Sequence, residues 1–268
     1  MKLSLDQVRP KVPKPFWVCL TTLIFLIMFW QMPVNWVGGI LASQTGCRVL
    51  LQEPSGTIWQ GSAALGFSEL NASQGVCREP FALTERFHWS SHCSLSTLSC
   101  TTEIQFGALE KPQVIQWGLK KTQITANEIK LPANVLEGLG NPWSTLRPRG
   151  QLAAHWTDIA LGGLVAVGDG TKNARSGVIG IIISNLSSPI NPIKPLGSYE
   201  ILANLGDDGL NWSLSTTSGP LLLRGDGTTK LGVHFEGIAS ALPEAQDSLI
   251  GLLSLLGKKE GDGYRLQF

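Results

Sequence analysis

The strongest constraint on the fold is a charge-free apolar segment near the N-terminus. Phe16 to Met32 reads FWVCLTTLIFLIMFWQM, and residues 33–41 extend it with one proline and one polar residue. A single membrane-spanning helix needs about 20 apolar residues, with a lower limit near about 17. Its tryptophans lie toward the two ends, where aromatic belts are expected: Trp17, Trp30 and Trp36. We therefore expect a transmembrane anchor at residues 16–40.

The charges around this segment predict its orientation. Basic residues outnumber acidic ones before it, where Lys2, Arg9, Lys11 and Lys14 are opposed by Asp6 alone. The positive-inside rule then makes residues 1–15 a basic cytoplasmic tail and places the rest of the chain outside, in the periplasm of a bacterium. A cleaved signal peptide is the alternative. Its apolar core is normally about 7 to 15 residues long, and no small-x-small pair precedes Ala42.

The cysteines agree with an oxidising compartment. Cys19 lies inside the apolar segment, which leaves an even number, four, in the external part. Cys93 and Cys100 are separated by a length that a hairpin can close, and Cys47 can then pair with Cys77. Four cysteines allow three pairings, of which we favour these two disulfides.

Strand signals dominate the external part. Asp-Gly between apolar runs is a strong signal for a two-residue hairpin. It occurs at Asp169-Gly170, Asp208-Gly209, Asp226-Gly227 and Asp262-Gly263. The expected fold class is mainly β: an N-terminal single transmembrane helix, followed by an antiparallel β-rich periplasmic domain with two short helices. Residues 140–150 interrupt the pattern and suggest a first β-rich half, 41–140, and a second, 141–268.

Two segments are expected to form the short helices. Residues 131–140 have an early proline, apolar residues at helical spacing and a terminal glycine. Residues 243–256 begin with proline and acids and are followed by Gly257 and two lysines, which complement the helix dipole. We expect the dense leucine face of this C-terminal helix, 243–256, to pack on the sheet.

No local signature of catalysis is found. The sequence has no G-x-S-x-G elbow, residues 251–259 depart from P-loop spacing, and the Gly-Asp-Gly tripeptides lack the third glycine of a dinucleotide fingerprint. The best metal candidate combines His88, His92, Cys93 and Cys100, but Cys93 points away from the histidines in an extended strand. We assign no catalytic residue, no metal site and no cofactor. The formal net charge of +1 excludes a strong field for nucleic acid.

Several glycine-punctuated motifs follow the apolar segment in order. They are Ser55–Gly61 (SGTIWQG), Leu131–Leu136 (LPANVL), Leu146–Leu152 (LRPRGQL), Pro195–Tyr199 (PLGSY) and Thr217–Gly227 (TSGPLLLRGDG). Each motif alone is common in β proteins. Together with the anchor before them and the leucine-rich helix after them, they resemble the N protein of the bacterial type II, or general, secretion pathway over nearly the whole chain.

This resemblance implies an accessory inner-membrane component of a machine that moves folded proteins from the periplasm across the outer membrane. It implies a protein that acts by protein binding rather than catalysis. The implied partners are other inner-membrane platform proteins, with exported cargo as a second candidate. The motif positions that the resemblance marks as structural or partner-binding are Gly56, Thr57, Trp59, Gly61, Gly150, Gly197, Tyr199, Gly219, Pro220 and Gly225. The four external cysteines depart from the family pattern.

The first motif predicts a short strand between two glycines. Thr57, Ile58 and Trp59 are strong strand formers, and successive side chains point to opposite faces. Trp59 then either fills one edge of the first sheet near the anchor or forms a partner-binding contact. The first alternative is favoured.

Two further classes of function remain open. A periplasmic lipid-handling protein anchored in the inner membrane is the main alternative, because the apolar run Val178–Ile183 is suited to lining a site for acyl chains. A strand buried on both faces has the same run. A hydrolase whose residues converge from distant positions would leave no local motif.

Overall fold

A computed structural model describes residues 14–68, 70–71, 76–77, 81–94, 96–119, 121–140, 143–162, 175–230 and 232–267. The α-helices within these ranges are α1 (Lys14–Trp30), α2 (Asn35–Gln44), α3 (Trp143–Leu146) and α4 (Gln246–Leu256). Short 3₁₀ helices span Ala133–Leu139 and Pro243–Ala245. Both segments that were expected to be helical are therefore helical, the second as a 3₁₀ turn that continues into α4.

Strands form most of the rest. They are β1 (Val49–Gly56), β2 (Gln60–Phe67), β3 (Leu70–Asn71), β4 (Val76–Cys77), β5 (Phe81–Ser94), β6 (Ser99–Gln105), β7 (Gln113–Gly118), β8 (Lys121–Ile124), β9 (Asn127–Pro132), β10 (Arg149–Trp156), β11 (Ile159–Gly162), β12 (Gly177–Ser187), β13 (Gly197–Gly206), β14 (Gly209–Ser218), β15 (Leu221–Thr228), β16 (His234–Ala241), β17 (Lys258–Glu260) and β18 (Gly263–Gln267). The mainly β fold is confirmed.

The strands form two large sheets and one small one. The first sheet has the order β1-β2-β5-β6-β7-β8-β11, and the second has the order β17-β18-β16-β15-β14-β13-β12-β10-β9. Strands β3 and β4 pair separately. Every strand pair within these sheets is antiparallel. The prediction of antiparallel β-structure is therefore confirmed.

Two continuous segments of the chain pass from one large sheet into the other. Only two residues separate β8 from β9, and only two separate β10 from β11. Strand β8 pairs with β11 in the first sheet, whereas β9 pairs with β10 in the second. Residues 121–132 and 149–162 therefore run side by side from one sheet into the other. The expected division at residue 141 stays a prediction, since β9 and β11 each lie in the sheet that the other half mainly forms.

A buried polar network holds the point where these strands cross. The side chains of Gln113 and Asn127 are almost fully buried. Nδ2 of Asn127 donates to Oε1 of Gln113 at 3.1 Å, and Nε2 of Gln113 donates to the Thr125 carbonyl at 3.0 Å. The Ala126 N–H donates to Oδ1 of Asp158 at 2.7 Å. Side chains thus satisfy backbone hydrogen-bonding groups at the bend between the sheets, where the regular ladder is interrupted.

Helix α4 covers one face of the second sheet. Leu249, Leu252 and Leu253 are buried in the same cluster as Phe235 of β16 and Leu266 of β18. These side chains share the inward face because residues two apart in a strand point the same way. The prediction that the leucine face packs on the sheet is confirmed.

The prediction of a turn at Asp226-Gly227 is wrong. Both residues lie inside β15, where they pair with Glu236 and Phe235 of β16. The glycine serves packing, since a Cβ at Gly227 would overlap the ring of Trp212 on the neighbouring strand. A cross-strand aromatic therefore accounts for a residue that the local sequence assigns to a turn.

Two of the other Asp-Gly dipeptides lie at hairpins, but each is displaced by one residue from the two-residue loop. Gly206 pairs with Gly209, so Asp207 and Asp208 form the loop between β13 and β14. Glu260 pairs with Gly263, so residues 261–262 form the loop between β17 and β18. In both hairpins the glycine of the dipeptide is the first residue of the next strand. Asp169-Gly170 lies outside the described residues.

The apolar N-terminal segment forms two helices rather than one. Helix α1 ends at Trp30 and α2 begins at Asn35. Pro33 lies between them, where it forms an isolated β-bridge with Thr57 and cannot donate a helical hydrogen bond. The expected extension of one helix through residue 40 is therefore wrong. Among the described residues, no helix combines the length and the hydrophobicity that crossing a membrane requires.

Both favoured disulfides are present. Cys47 pairs with Cys77, and Cys93 pairs with Cys100. Cys93 and Cys100 also face each other directly across the β5–β6 hairpin. Cys19 is free and exposed on α1.

Serine replacement of each pair is expected to destabilise the fold to different extents. The chain-entropy model gives about 2 kcal/mol for the short Cys93–Cys100 loop and about 4 kcal/mol for the longer Cys47–Cys77 loop. Urea unfolding of the two double-serine variants and the oxidised wild type measures these decreases in stability. A larger decrease for Cys93→Ser/Cys100→Ser than for Cys47→Ser/Cys77→Ser contradicts this order.

Tyr199 is a buried polar anchor of the second sheet. Its side chain is 1% exposed, and its hydroxyl donates to the Leu221 carbonyl at 3.1 Å. Burial raises the pKa of the Tyr199 phenol well above its ordinary value. The folded chain thus keeps the proton at a pH where the unfolded chain begins to release it.

Tyr199→Phe is expected to change stability in a pH-dependent way. At neutral pH the variant lacks the hydrogen bond to Leu221, and its free energy of unfolding falls by about 1 kcal/mol. Above about pH 10 the unfolded wild type ionises while the folded wild type does not, so wild-type stability falls by up to about 1.4 kcal/mol per pH unit. The variant lacks this decrease, so the difference in free energy of unfolding between wild type and variant shrinks as the pH rises. Urea unfolding at several pH values measures this difference, and parallel plots of the free energy of unfolding against pH contradict the prediction.

Candidate functional site

The outer face of strands β13 to β18 forms a cleft with a volume of about 950 Å³. Most of its lining side chains come from one alternating set on each strand, and Trp212 and Tyr264 of the core-facing set also border it. The register aligns Leu202, Ser213, Asp226 and Glu236 in one row across four strands. These residues lie on the face opposite α4, because they alternate with residues that pack in the core.

Charged side chains line one side of the cleft. Oε1 of Glu236 lies 3.5 Å from Nη2 of Arg265 and 3.4 Å from Nε2 of His234. Nη1 of Arg265 lies 3.6 Å from Oε2 of Glu260. All these groups are about half exposed, so their pairs add little to stability. They instead give the cleft a fixed pattern of charge.

Arg224 and Asp226 add charges that are available to a partner. Both are exposed and line the cleft, and no described residue forms an ion pair with either side chain. Arg224 lies beside Ile238 in the register, and Asp226 lies beside Glu236. Charges of this kind steer a complementary surface and fix its orientation.

Two apolar side chains lie among these polar groups. Ile238 is 60% exposed and Leu202 is 40% exposed, and both line the cleft. An exposed aliphatic group surrounded by a polar rim is the arrangement found at the centre of protein–protein interfaces. The cleft is therefore suited to binding a protein surface.

This cleft was not predicted from the sequence, although a signal for it exists. In β16, His234, Glu236 and Ile238 share one face, and Phe235 and Ala239 share the other. Ile238 is thus an apolar residue on a polar face. The alternation of side chains along β16 identifies Ile238, but only once the bounds of the strand are known.

The Ser55–Gly61 motif forms a hairpin tip, and the expected strand at Thr57–Trp59 is wrong. Gly56 pairs with Gly61, and the Thr57 N–H donates to the Gln60 carbonyl at 2.9 Å. Gly56 has a φ of 95° and a Cβ there would overlap the Gln60 carbonyl oxygen. The two glycines close a turn, so the strand formers between them have no ladder to join.

This hairpin tip contacts the α1–α2 connection. The Ile58 N–H donates to the Met32 carbonyl at 3.1 Å, and the Val34 N–H donates to the Gly56 carbonyl at 3.3 Å. The Trp59 ring stacks on Trp30 at a centroid distance of 5.9 Å. Trp59 also contacts Phe29 edge-on at 5.4 Å and donates from Nε1 to the Phe29 carbonyl at 3.4 Å. Trp59 therefore joins the first sheet to the N-terminal helices.

Trp89 holds the same tip from the sheet side. Its Nε1 lies 3.2 Å from the carbonyl oxygens of both Thr57 and Ile58 and donates to them. Its ring occupies the space beside Gly61, where a Cβ would be too close. Trp89 was not predicted as a functional residue, because its partner is a backbone segment about thirty residues away.

Four of the later motif positions gather in one place. A Cβ at Gly219 would overlap the Cα of Gly197, and Tyr199 lies beside this contact. The Pro220 carbonyl accepts the Leu242 N–H at 2.9 Å. Of the remaining positions, Gly150 lies at a register shift between β10 and β12, and Gly225 lies against the Phe235 ring. Whether any of them binds a partner stays a prediction.

The metal candidate is not assembled as a ligand set. Cys93 and Cys100 are joined to each other, and His88 and His92 are exposed on β5. The described residues contain no group of three or more His, Cys, Asp or Glu side chains able to hold a metal ion.

A family model described as type II secretion system (T2SS), protein N matches residues 48–267. The chain belongs to this family. The resemblance drawn from the motifs is thereby confirmed. No curated protein and no solved structure matches the chain. Type II secretion protein N is a family of secretion-system components and is not known as an enzyme family.

The matched region contains both the cleft and the hairpin tip, whereas α1 and α2 precede it. Membership of the protein N family implies involvement in type II secretion and interaction with other components of that system. It also suggests an association with the cell envelope.

Trp59→Ala in this protein N is expected to loosen the N-terminal helices while the β-sheet body stays folded. The substitution removes the ring interactions with Phe29 and Trp30, worth about 0.5–1.5 kcal/mol each. Limited proteolysis in detergent should then cut faster at residues 31–34, with the thermal midpoint of the body unchanged. The matched control is Trp89→Phe, which keeps Trp59 but removes the indole donor beneath the tip. Unfolding of the body in Trp59→Ala contradicts this expectation.

Proposed function

We propose that this type II secretion protein N is an accessory inner-membrane component that assists the export of folded periplasmic proteins across the outer membrane. The family match over residues 48–267 is the observation that carries the proposal. The protein acts by binding other proteins and catalyses no reaction. Its partners are other inner-membrane platform proteins of the system, and exported cargo is a second candidate.

The proposed single-pass anchor is the apolar segment around α1, because α1 alone, at 17 residues, is at the lower limit of the length that crosses a membrane. Large apolar side chains are exposed around it, including Phe16, Phe25, Met28 and Trp30. Exposed apolar surface of this extent is costly in water and is favourable in lipid. The basic residues near the start of the chain favour a cytoplasmic N-terminus and a periplasmic β-rich body in this proposal. Two disulfides in the body support an oxidising compartment.

The cleft on β13–β18 is the proposed partner-binding surface. Its backbone belongs to a nine-stranded sheet with α4 on the other face, so the binding groups are held in position before a partner arrives. Ile238 and Leu202 provide the apolar centre. Arg224, Asp226 and Arg265 provide the charges that orient the partner. Pre-organised groups of this kind reduce the entropic cost of binding.

Lipid handling has no specific support from the geometry. The run Val178–Ile183 lies in β12, in the interior of the second sheet. Ile181 packs against the core and Ile183 is part of it, while Ile182 lies on the other face and is partly exposed. A central strand with both faces partly covered accounts for this run. We therefore do not propose lipid handling, and the binding experiment tests for bound lipid as well as bound protein.

A pull-down of the full chain from its native membrane in mild detergent tests the proposal. Co-purification of other type II secretion components at near-stoichiometric yield supports an accessory component that acts by binding. Abundant lipid without these proteins contradicts it and favours lipid handling. A secretion assay in cells that lack the gene, with the cargo measured outside the cell, tests whether the bound components serve export.

Ile238→Asp is expected to abolish partner capture while the protein stays folded. Replacement of an interface anchor of this kind costs about 2 kcal/mol or more, which weakens binding about 30-fold. The matched control is Ile250→Asp, which places the same charge at an exposed site on α4, away from the cleft. Equal capture by Ile238→Asp and wild type shows that the cleft is not the binding surface.

A further inference from the structure

Helix α2 has one apolar flank that points away from the β-sheet body. Trp36, Val37 and Ile40 on this flank are all exposed, Trp36 at 65%. The adjoining exposed flank is polar or small and contains Asn35 and Gly39, while Ser43 and Gln44 add two polar side chains to the apolar flank at the C-terminal end of α2. No residue of α2 carries a charge.

The orientation of α2 is fixed by the sheet. Its third flank packs on β1, where the Cβ position of Gly38 lies 3.6 Å from Cβ of Leu51. Val34, directly before α2, is 3% exposed and donates its N–H to Gly56 of the hairpin tip. The helix therefore cannot rotate its apolar flank toward the body without breaking these interactions.

The apolar flank lies next to the end of α1. Only four residues separate Trp30, the last residue of α1, from Asn35, the first residue of α2. Trp30 and Trp36 are both exposed, and Trp59 of the hairpin tip stacks on Trp30. Indole rings concentrate at the membrane–water interface, since they present an apolar body and a polar N–H group.

We infer that α2 lies in the lipid–water interface of the membrane that holds α1, with Trp36, Val37 and Ile40 in the headgroup and upper acyl region. The inference rests on the proposed anchoring of α1. Ten residues span about 15 Å, which is far too short to cross a bilayer but suits a helix that lies along its surface. Trp30 at the end of α1 and Trp36 on this flank are both exposed, which is why lipid is the occupant that fits it.

This arrangement sets the position of the β-sheet body as well. Helix α2, the Pro33–Thr57 bridge and the Trp59 contacts hold the β1–β2 edge of the first sheet against the membrane. The body is then oriented at the membrane surface instead of being free to rotate on a flexible tether. The interfacial helix is thus the part that converts an anchor into a fixed attachment.

Site-directed spin labelling of the full chain tests the inference. The protein is reconstituted in vesicles of phosphatidylethanolamine and phosphatidylglycerol. Cys19 is the one free cysteine of the described chain, so Cys19→Ser combined with Ile40→Cys gives a single labelling site on the apolar flank. Cys19→Ser with Asn35→Cys is the matched control on the polar flank, since Asn35 is exposed and lies about 140° around the helix from Ile40. Collisions with oxygen report lipid exposure, and collisions with a water-soluble nickel chelate report water exposure.

We expect the Ile40→Cys label to collide far less often with the chelate and more often with oxygen than the Asn35→Cys label does. A label at Cys19 in the otherwise wild-type chain tests the anchor itself. Lipid exposure at Cys19 together with water exposure at Ile40→Cys overturns the interfacial inference but keeps the anchor. Water exposure at Cys19 overturns both. Shielding of the Ile40→Cys label from both reagents shows that a protein covers α2, which also overturns the inference.

Discussion

The whole fold depends on two chain segments, each of which contributes one strand to each large sheet. Residues 121–132 and 149–162 pair with each other along their length, first in one sheet and then in the other. Where they bend, Trp156 donates from Nε1 to the Thr125 carbonyl at 3.0 Å, and Gln113 and Asn127 are buried with their polar groups paired. An unpaired group at such a site would cost about 1–3 kcal/mol. The bend is therefore permitted only by side chains that replace the missing ladder bonds.

The crossing of these two segments interrupts an otherwise sequential strand order. Strands β12 to β16 follow one another in space as they do in the chain, whereas β11 lies beside β8, β9 lies at the far edge beside β10, and β18 lies between β16 and β17. Such a meander exposes its outer face by default, because helix α4 covers only the inner face near β16 and β18. The core and the cleft are therefore two sides of the same strands, and a change in strand phase would exchange them.

The sequence predicts regular features whose causes are local. Alternating apolar strands, the leucine face of 243–256 and the hairpin disulfide Cys93–Cys100 all follow from nearest neighbours along the chain or across one turn. Local sequence wrongly places Gly227 in a turn because its real constraint is the Trp212 ring on another strand. It wrongly places Thr57–Trp59 in a strand because the partners of this segment, Met32 and Pro33, lie in a connection between helices. The cleft cannot be predicted in this way, since it requires the register of several strands at once.

The two functional regions lie at opposite ends of this strand order. The hairpin tip between β1 and β2 contacts the N-terminal helices, whereas the cleft is formed by β13 to β18. Antiparallel strands joined by continuous hydrogen bonds resist bending more strongly than a flexible linker, so one end of the body fixes the position of the other. A partner bound in the cleft would then be held at a set distance from the N-terminal helices. This geometry suits a component that positions other proteins more than one that captures ligands by diffusion.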